Sequence, residues 1–256
     1  RLAINLEQLI EDEGPDTVAA FIAEPVMGAG GVIVPPKGYF EAIQPILRKY
    51  DILFIADEVI CGFGRTGNMF GTETYNLQPD IITLAKALSA AYLPISAVML
   101  NKRVADVVYE NSGKIGTFGH GFTYSAHPVS AAVALETLSI YEERDILTHV
   151  RSVMGPFQNG LQVLADHPLV GEARGVGLVG GIELVEDKDS KKNFAPSASV
   201  GLRVAARCLE HGLIVRSLPG DVITLCPPLV ISEAEVDMLL NRLRIALDDI
   251  ANFLGK

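Results

Sequence analysis

An aspartate and a lysine, Asp57 and Lys86, stand in apolar segments where charged residues are uncommon. Asp57 lies in the run Ile52–Val59, and Lys86 lies inside the run Ile81–Leu88, which we predict to be a buried strand. Because water stabilises an isolated charge, each residue needs either a partner or a chemical task. The two could form a structural ion pair. A desolvated lysine could instead supply the neutral amine that attacks a carbonyl, with an aspartate that keeps a pyridine nitrogen protonated.

The first half of the chain alternates short apolar runs with helical patterns, as expected for an α/β fold with a mostly parallel sheet. Val18–Val26 and Ile52–Val59 predict buried strands, and Gly38–Tyr50 between them has the apolar spacing of a helix. Ile81–Leu88 and Ile95–Leu100 predict two further strands. Strands of this kind present polar side chains at their carboxyl ends.

The second half of the chain has a different pattern. From about residue 146, long helices and paired β segments predict a smaller α+β unit. We therefore place a boundary near residue 145. The last helix is predicted from a capping box, Ser232 and Glu235, and from the stripe of apolar residues that follows it.

The composition argues against several classes of function. The chain has 256 residues, 21 basic and 31 acidic side chains and a formal net charge of −10, so we expect no nucleic-acid partner. It has no apolar run long enough to span a membrane and no signal-peptide pattern, so we expect a cytoplasmic protein without membrane attachment. His120 and His127 lack a third ligand at a useful spacing, and we predict no metal site.

Several motifs together resemble one enzyme family. They are AEPVMGAGGVIVPPKGYF, IADEVICGFGRTG, PDIITLAKALSAAYLPISAVM, GTFGHGFTYSAHP, ARGVGLVGGIEL and LCPPLVIS. The set is similar to the class III aminotransferases, the ω-amino acid:pyruvate type of pyridoxal-phosphate enzyme with fold type I. The resemblance implies that residues 1–145 are the C-terminal part of the large, cofactor-binding domain and that residues 146–256 are an α+β small domain. It also implies that this chain is the C-terminal portion of such a protein.

The resemblance assigns roles at a cofactor site. Lys86 would form a Schiff base with pyridoxal 5′-phosphate and shuttle the substrate proton, and Asp57 would pair with the pyridinium nitrogen. Val59 would press against one face of the ring. In the family, the threonine that matches Thr123 binds the cofactor phosphate of the neighbouring subunit, and Phe122 belongs to the same cofactor-binding motif. A homodimer with the active site at its interface is therefore expected.

The resemblance also bears on the substrate. Arg216 matches the arginine that binds the substrate carboxylate in pyruvate-using members. Members that act on ornithine or γ-aminobutyrate typically carry an arginine and a glutamate at the positions of Thr224 and Ala29. We therefore expect ping-pong transfer from an ω-amino acid or amine to pyruvate or another α-keto acid, and we do not expect ornithine, acetylornithine or γ-aminobutyrate as preferred donors. A mutase, racemase or decarboxylase of the same fold, or a catalytically silent dimeric fragment, remains an alternative.

Overall fold

The computed structural model describes all residues from 1 to 256. The helices are α1 (Leu2–Glu13), α2 (Tyr39–Lys49), α3 (Gly71–Thr74), α4 (Lys102–Ile115), α5 (Pro128–Glu143), α6 (Ile146–Leu164), α7 (Val200–Glu210) and α8 (Glu233–Leu254). The strands are β1 (Ala20–Ala23), β2 (Leu53–Asp57), β3 (Ile81–Leu84), β4 (Ala97–Leu100), β5 (Val170–Val176), β6 (Val179–Leu184), β7 (Arg216–Leu218) and β8 (Val222–Leu225). Short 3-10 helices cover Pro15–Thr17, Lys86–Ser89 and Pro196–Ala198.

The chain divides into two compact units. The first unit contains Arg1–Pro25, Pro35–Phe63 and Asn68–Asp145, and the second contains Val26–Val34, Gly64–Gly67 and Ile146–Lys256. Two short segments from the first half of the sequence thus group with the second unit, which a single boundary near residue 145 does not describe. The assignment of residues 1–145 and 146–256 to a large and a small domain stays a prediction.

The first unit contains a four-stranded sheet in the order β1-β2-β3-β4. The first three strands are parallel and β4 is antiparallel to β3, so the predicted mostly parallel sheet is confirmed. The carboxyl ends of β1, β2 and β3 therefore meet at one edge. The main apolar core of this unit consists of Ile10, Phe40, Ile43, Leu47, Ile52, Phe54 and Leu77. Burial of these side chains fixes the strand ends and the residues that follow them.

The third predicted strand is shorter than the apolar run that predicted it. β3 ends at Leu84, and Lys86 begins a 3-10 helix instead of lying inside the strand. The physical reason is the backbone at Lys86, whose positive φ of 46° cannot continue a strand. The apolar residues Ala87 and Leu88 are half-buried in the 3-10 helix, which packs against α5.

The second unit contains an antiparallel sheet in the order β5-β6-β8-β7. Helix α6 packs on β5 and on α8, and α7 packs on α8. The predicted capping box at the start of α8 is confirmed: Ser232 Oγ accepts from the amide of Glu235 at 3.3 Å, and the Glu235 carboxylate accepts from the amide of Ser232 at 2.8 Å. None of the helices in the chain combines the length and the apolar character needed to cross a lipid bilayer.

Candidate active site

Asp57 is the last residue of β2, and its carboxylate lies at the edge of the sheet where the parallel strands end. Its Oδ1 accepts a hydrogen bond from the amide of Val59 at 3.0 Å, so the side chain orders the turn that follows the strand. Asp57 and Val59 are both half-buried, whereas the apolar run predicted a buried aspartate. The carboxylate is held by the protein and still accessible.

Thr83 is the register partner of Asp57 on the neighbouring strand β3. Its hydroxyl oxygen is buried and makes no hydrogen bond. An unpaired buried hydroxyl destabilises a fold by about 1–3 kcal/mol, and native proteins contain few of them. Beside Asp57, it marks this sheet edge as polar and incompletely satisfied.

Lys86 lies just beyond the carboxyl end of β3, the strand next to β2, and its side chain is exposed. The predicted buried lysine is therefore wrong for this chain. Its left-handed backbone costs about 1–3 kcal/mol in a residue other than glycine, and strain of this kind is typical of functional sites. The Lys86 side chain makes no hydrogen bond or ion pair, so the alternative of a structural ion pair with Asp57 is not formed. The amine is available to a ligand.

The arrangement of Asp57 and Lys86 follows from the topology. Each residue ends or follows one of two adjacent parallel strands, and residues in those positions gather at the same edge of an α/β sheet, where ligands bind. Together they offer one anion and one primary amine. This pair can bind a protonated ring nitrogen and react with a carbonyl.

Glu58 is a residue of this edge that was not predicted from the sequence. Its side chain is fully buried, and its carboxylate accepts hydrogen bonds from the amides of Gly71 at 2.9 Å and Thr72 at 2.6 Å. Burial raises the pKa of Glu58, and the two amides oppose that shift. Strand periodicity could have found it, because the buried positions Phe54 and Ala56 continue to residue 58 with a period of two.

Phe122 and Thr123 lie in an exposed loop before α5. The Phe122 ring is 78% exposed and borders a cleft of about 490 Å³ that is also lined by Pro94 and Ser130. The Phe122 amide donates to Ser125 Oγ at 2.9 Å, which orders the turn. No hydrogen bond joins Phe122 or Thr123 to the residues at the sheet edge, so their predicted contact with a cofactor stays a prediction.

Arg216 belongs to the second unit and is the first residue of β7. Its side chain is exposed and makes no hydrogen bond or ion pair. Its register partner on β8 is Thr224, so both side chains lie on the same face of the sheet. Thr224 Oγ1 is buried without a hydrogen-bond partner. The guanidinium of Arg216 is thus uncommitted and can bind an anion.

Known proteins resemble this chain over nearly its full length. The class-III aminotransferase family matches residues 1–247. "Gamma aminobutyrate transaminase 3, chloroplastic" of Solanum lycopersicum is 56% identical over 252 residues, 98% of this chain and 48% of that protein. Vanillin aminotransferase of Capsicum chinense is 52% identical over 249 residues, 97% of this chain and 54% of that protein.

Solved transaminase structures share the fold. A transaminase with L-ala is 54% identical with a TM-score of 0.97, over 99% of this chain and 60% of that chain. The ω-transaminase from Pseudomonas jessenii in complex with PMP is 52% identical with a TM-score of 0.96, over 100% of this chain and 56% of that chain. These matches confirm the predicted fold class.

The relatives correct one prediction and define what this chain represents. Three of them, from Solanum lycopersicum and Oryza sativa, are named as chloroplastic or mitochondrial proteins, and the predicted cytoplasmic location is therefore wrong. The chain spans about half the length of the curated relatives that it matches. A carboxylate and an amine at adjacent strand ends, a shared fold and a family match over residues 1–247 lead to one conclusion: the chain belongs to the class-III aminotransferases.

Proposed function

We propose that this chain supplies the lysine and aspartate of a pyridoxal-phosphate-dependent aminotransferase that moves an amino group from an ω-amino acid or amine to pyruvate or another α-keto acid. The observation that carries the proposal is the placement of Asp57 and Lys86 at the ends of the adjacent parallel strands β2 and β3. Lys86 has no partner of its own and a strained backbone, which supports a chemical task over a structural one.

The residues at this edge fit pyridoxal phosphate. Lys86 Nζ would hold the cofactor and move a proton to and from the substrate carbon, and Asp57 would keep the ring nitrogen protonated. Val59 would lie against the ring, where a β-branched side chain has few rotamers. The buried, unpaired hydroxyl of Thr83 beside Asp57 supports a polar ligand at this place. The bound cofactor would supply the electron-withdrawing ring that stabilises a carbanion.

Two further residues extend the proposal to substrate and subunit. Arg216 would bind the carboxylate of the keto acid, and its lack of any partner supports this role. Thr123 would bind the cofactor phosphate of a second subunit in a homodimer. The neighbouring Phe122 and Tyr124 are 78% and 80% exposed, and aromatic side chains exposed in this way support a protein interface around Thr123.

The panel of amino donors to be tested is wider than the set that the sequence predicted. Thr224 and Ala29 argued against γ-aminobutyrate, but relatives at 52–56% identity are named gamma-aminobutyrate transaminases. We therefore include γ-aminobutyrate among the proposed donors, with pyruvate as the first acceptor to test.

The test uses the full-length protein loaded with pyridoxal phosphate. Borohydride reduction followed by peptide mass spectrometry should place the cofactor on Lys86, and amino transfer from a donor panel to pyruvate should yield alanine. Lys86→Ala should abolish both signals. Lys114→Ala is the matched control, because Lys114 is an exposed lysine of α4 whose ion pair with Glu110 lies on the surface. The proposal would be contradicted if the cofactor label were found on another lysine, or if no donor yielded alanine from pyruvate.

A further inference from the structure

Glu58 is hydrogen-bonded to strand β3, to the turn after β2 and to helix α3, although its side chain does not point into the candidate site. We infer that Glu58 is a positioning residue, whose buried carboxylate fixes the Asp57 carboxylate relative to Lys86. This inference rests on the proposed function. The starting observation is that the Glu58 side chain has no exposed surface and uses its two carboxylate oxygens for two backbone amides, Gly71 with Oε2 and Thr72 with Oε1.

The backbone of Glu58 connects the two strands that carry the reactive groups. Its amide donates to the carbonyl oxygen of Thr83 at 3.0 Å, and its carbonyl oxygen accepts from the amide of Gly62 at 2.8 Å. Thr83 lies on β3, shortly before Lys86. Residue 58 is therefore bonded to the strand that leads into the lysine, and it directly follows the aspartate.

The side chain of Glu58 completes this attachment from the opposite side. Along β2, buried and half-buried positions alternate, so Glu58 points to the buried side and its neighbours Asp57 and Val59 point to the other. Glu58 thus acts through its neighbours and does not reach a ligand at the edge. It anchors the turn to α3, and a shift of residue 58 would move Asp57 and Val59 with it.

A carboxylate is required for this attachment because two donors converge on it. Glutamine offers one oxygen acceptor, so the side chain introduced by Glu58→Gln would satisfy one amide and present its own NH₂ group to the other. Aspartate keeps both oxygens but is shorter by one methylene group, and it would draw the turn and the helix together or lose one bond. Each change displaces the same turn to a different degree.

The experiment compares Glu58→Gln and Glu58→Asp with Glu73→Gln in the full-length protein. Glu73 is the matched control, because it is an exposed carboxylate on α3, the helix that Glu58 binds. The readouts are the pH at which the visible spectrum of bound pyridoxal phosphate changes, kcat and KM for the amino donor, and the urea midpoint of unfolding. The spectrum is sensitive to the distance between Asp57 and the ring nitrogen, whereas a loss of stability alone would leave it unchanged.

We expect Glu58→Gln to shift the spectroscopic midpoint by about one pH unit, a tenfold change in the protonation equilibrium. We also expect kcat to fall about 10²-fold, the effect of misplacing a catalytic group by about 1 Å, with KM nearly unchanged. Glu58→Asp should show a smaller effect of the same kind, and it supplies the readout if Glu58→Gln does not fold. Glu73→Gln should behave as wild type.

Two results would overturn the inference, and they are distinguishable. If the wild type carries pyridoxal phosphate on Lys86 but both Glu58 variants keep its spectrum and kcat while losing stability, Glu58 is only structural. If the wild type binds no pyridoxal phosphate at all, the proposed function fails and this inference fails with it.

Discussion

Arg174→Met should strongly destabilise the second unit, because Arg174 holds a strained loop in place. The guanidinium Nε donates to the carbonyl oxygens of Gly31 at 3.0 Å and Val32 at 3.1 Å, and Nη2 donates to Gly31 at 2.8 Å. Nη1 binds the Glu183 carboxylate at 2.6 Å. The Arg174 side chain is only 14% exposed, so water replaces few of these bonds when the arginine is removed.

The magnitude follows from what the substitution leaves behind. Methionine preserves the apolar stem of Arg174 but leaves two loop carbonyls and the Glu183 carboxylate without their donor. A hydrogen bond to a charged group contributes about 1.5–3 kcal/mol. Removing one partner of a fully buried ion pair costs about 3–5 kcal/mol, which is an upper bound here because the Glu183 side chain is 32% exposed. These terms overlap, so we expect a net loss of about 3–4 kcal/mol in the free energy of unfolding. Val32 adds to the sensitivity, since a valine at φ 53° must be held in place by its surroundings.

Urea denaturation of the full-length protein, followed by circular dichroism, measures this loss. Arg244→Met is the matched control, because the Arg244 ion pair with Asp248 on α8 is half exposed on both sides, and such pairs contribute about 0–1 kcal/mol. Two variants that destabilise the protein equally, within about 1 kcal/mol, would refute the argument that burial of the guanidinium decides its contribution.

Four further substitutions test other parts of the structure. Gly177→Ala should destabilise the protein by about 3 kcal/mol or more and lower its melting temperature, because Gly177 has a φ of +57° and a Cβ would lie 2.4 Å from a backbone carbonyl oxygen. Gly220→Ala, at φ +80° with no atom nearby, isolates the backbone part and should cost only about 1 kcal/mol. Arg216→Ala should raise KM for pyruvate about 10- to 100-fold but leave KM unchanged for a donor amine that has no carboxylate. Equal effects on both substrates in steady-state assays would contradict the proposed role of Arg216. Burial lowers the pKa of His167 despite the nearby Asp248 carboxylate, so the unfolded chain binds its proton more readily and stability should fall as pH drops below about 6.5. His167→Gln should flatten that decline when urea midpoints are compared between pH 7.5 and 5.5, and an unchanged slope would show that other groups control it.

The sequence predicted the elements whose patterns are local. Helix α2 occupies Tyr39–Lys49 inside the predicted range, since its apolar residues face one side, and α8 begins at the predicted capping box. Helix α4 was not predicted, although Asn101 marks its start: the Asn101 side-chain oxygen accepts a hydrogen bond from the amide of Val104 at 3.0 Å. None of the α4 residues is buried, so the apolar face that reveals most helices is not used within this chain.

The candidate site was predicted in its residue types but not in its environment. Asp57 was placed correctly at the end of a strand, because an apolar run that ends in an acidic residue is typical of a buried strand with a polar carboxyl end. The burial of Glu58, its neighbour, could have been predicted from the strand periodicity, but its partners could not, because Gly71 and Thr72 are remote in sequence and donate through their backbones. A backbone donor has no side-chain signature, and only the fold shows that two such donors converge on one carboxylate.

Lys86 was wrongly predicted to lie inside a strand, although the apolar run on which the prediction was based is present. The residues after β3 remain apolar since the 3-10 helix must pack against α5, and this continuity extended the predicted strand. If the strand had continued, the alternation of side chains along it would have fixed the face of the sheet to which Lys86 points. The left-handed backbone at Lys86 instead prevents the strand from continuing beyond the parallel part of the sheet. It also exposes the amine at this edge. A local pattern predicts the regular continuation of a strand, and the protein departs from it here at a cost in strain. That departure exposes the amine of Lys86 at the sheet edge, which supports the role proposed for this residue.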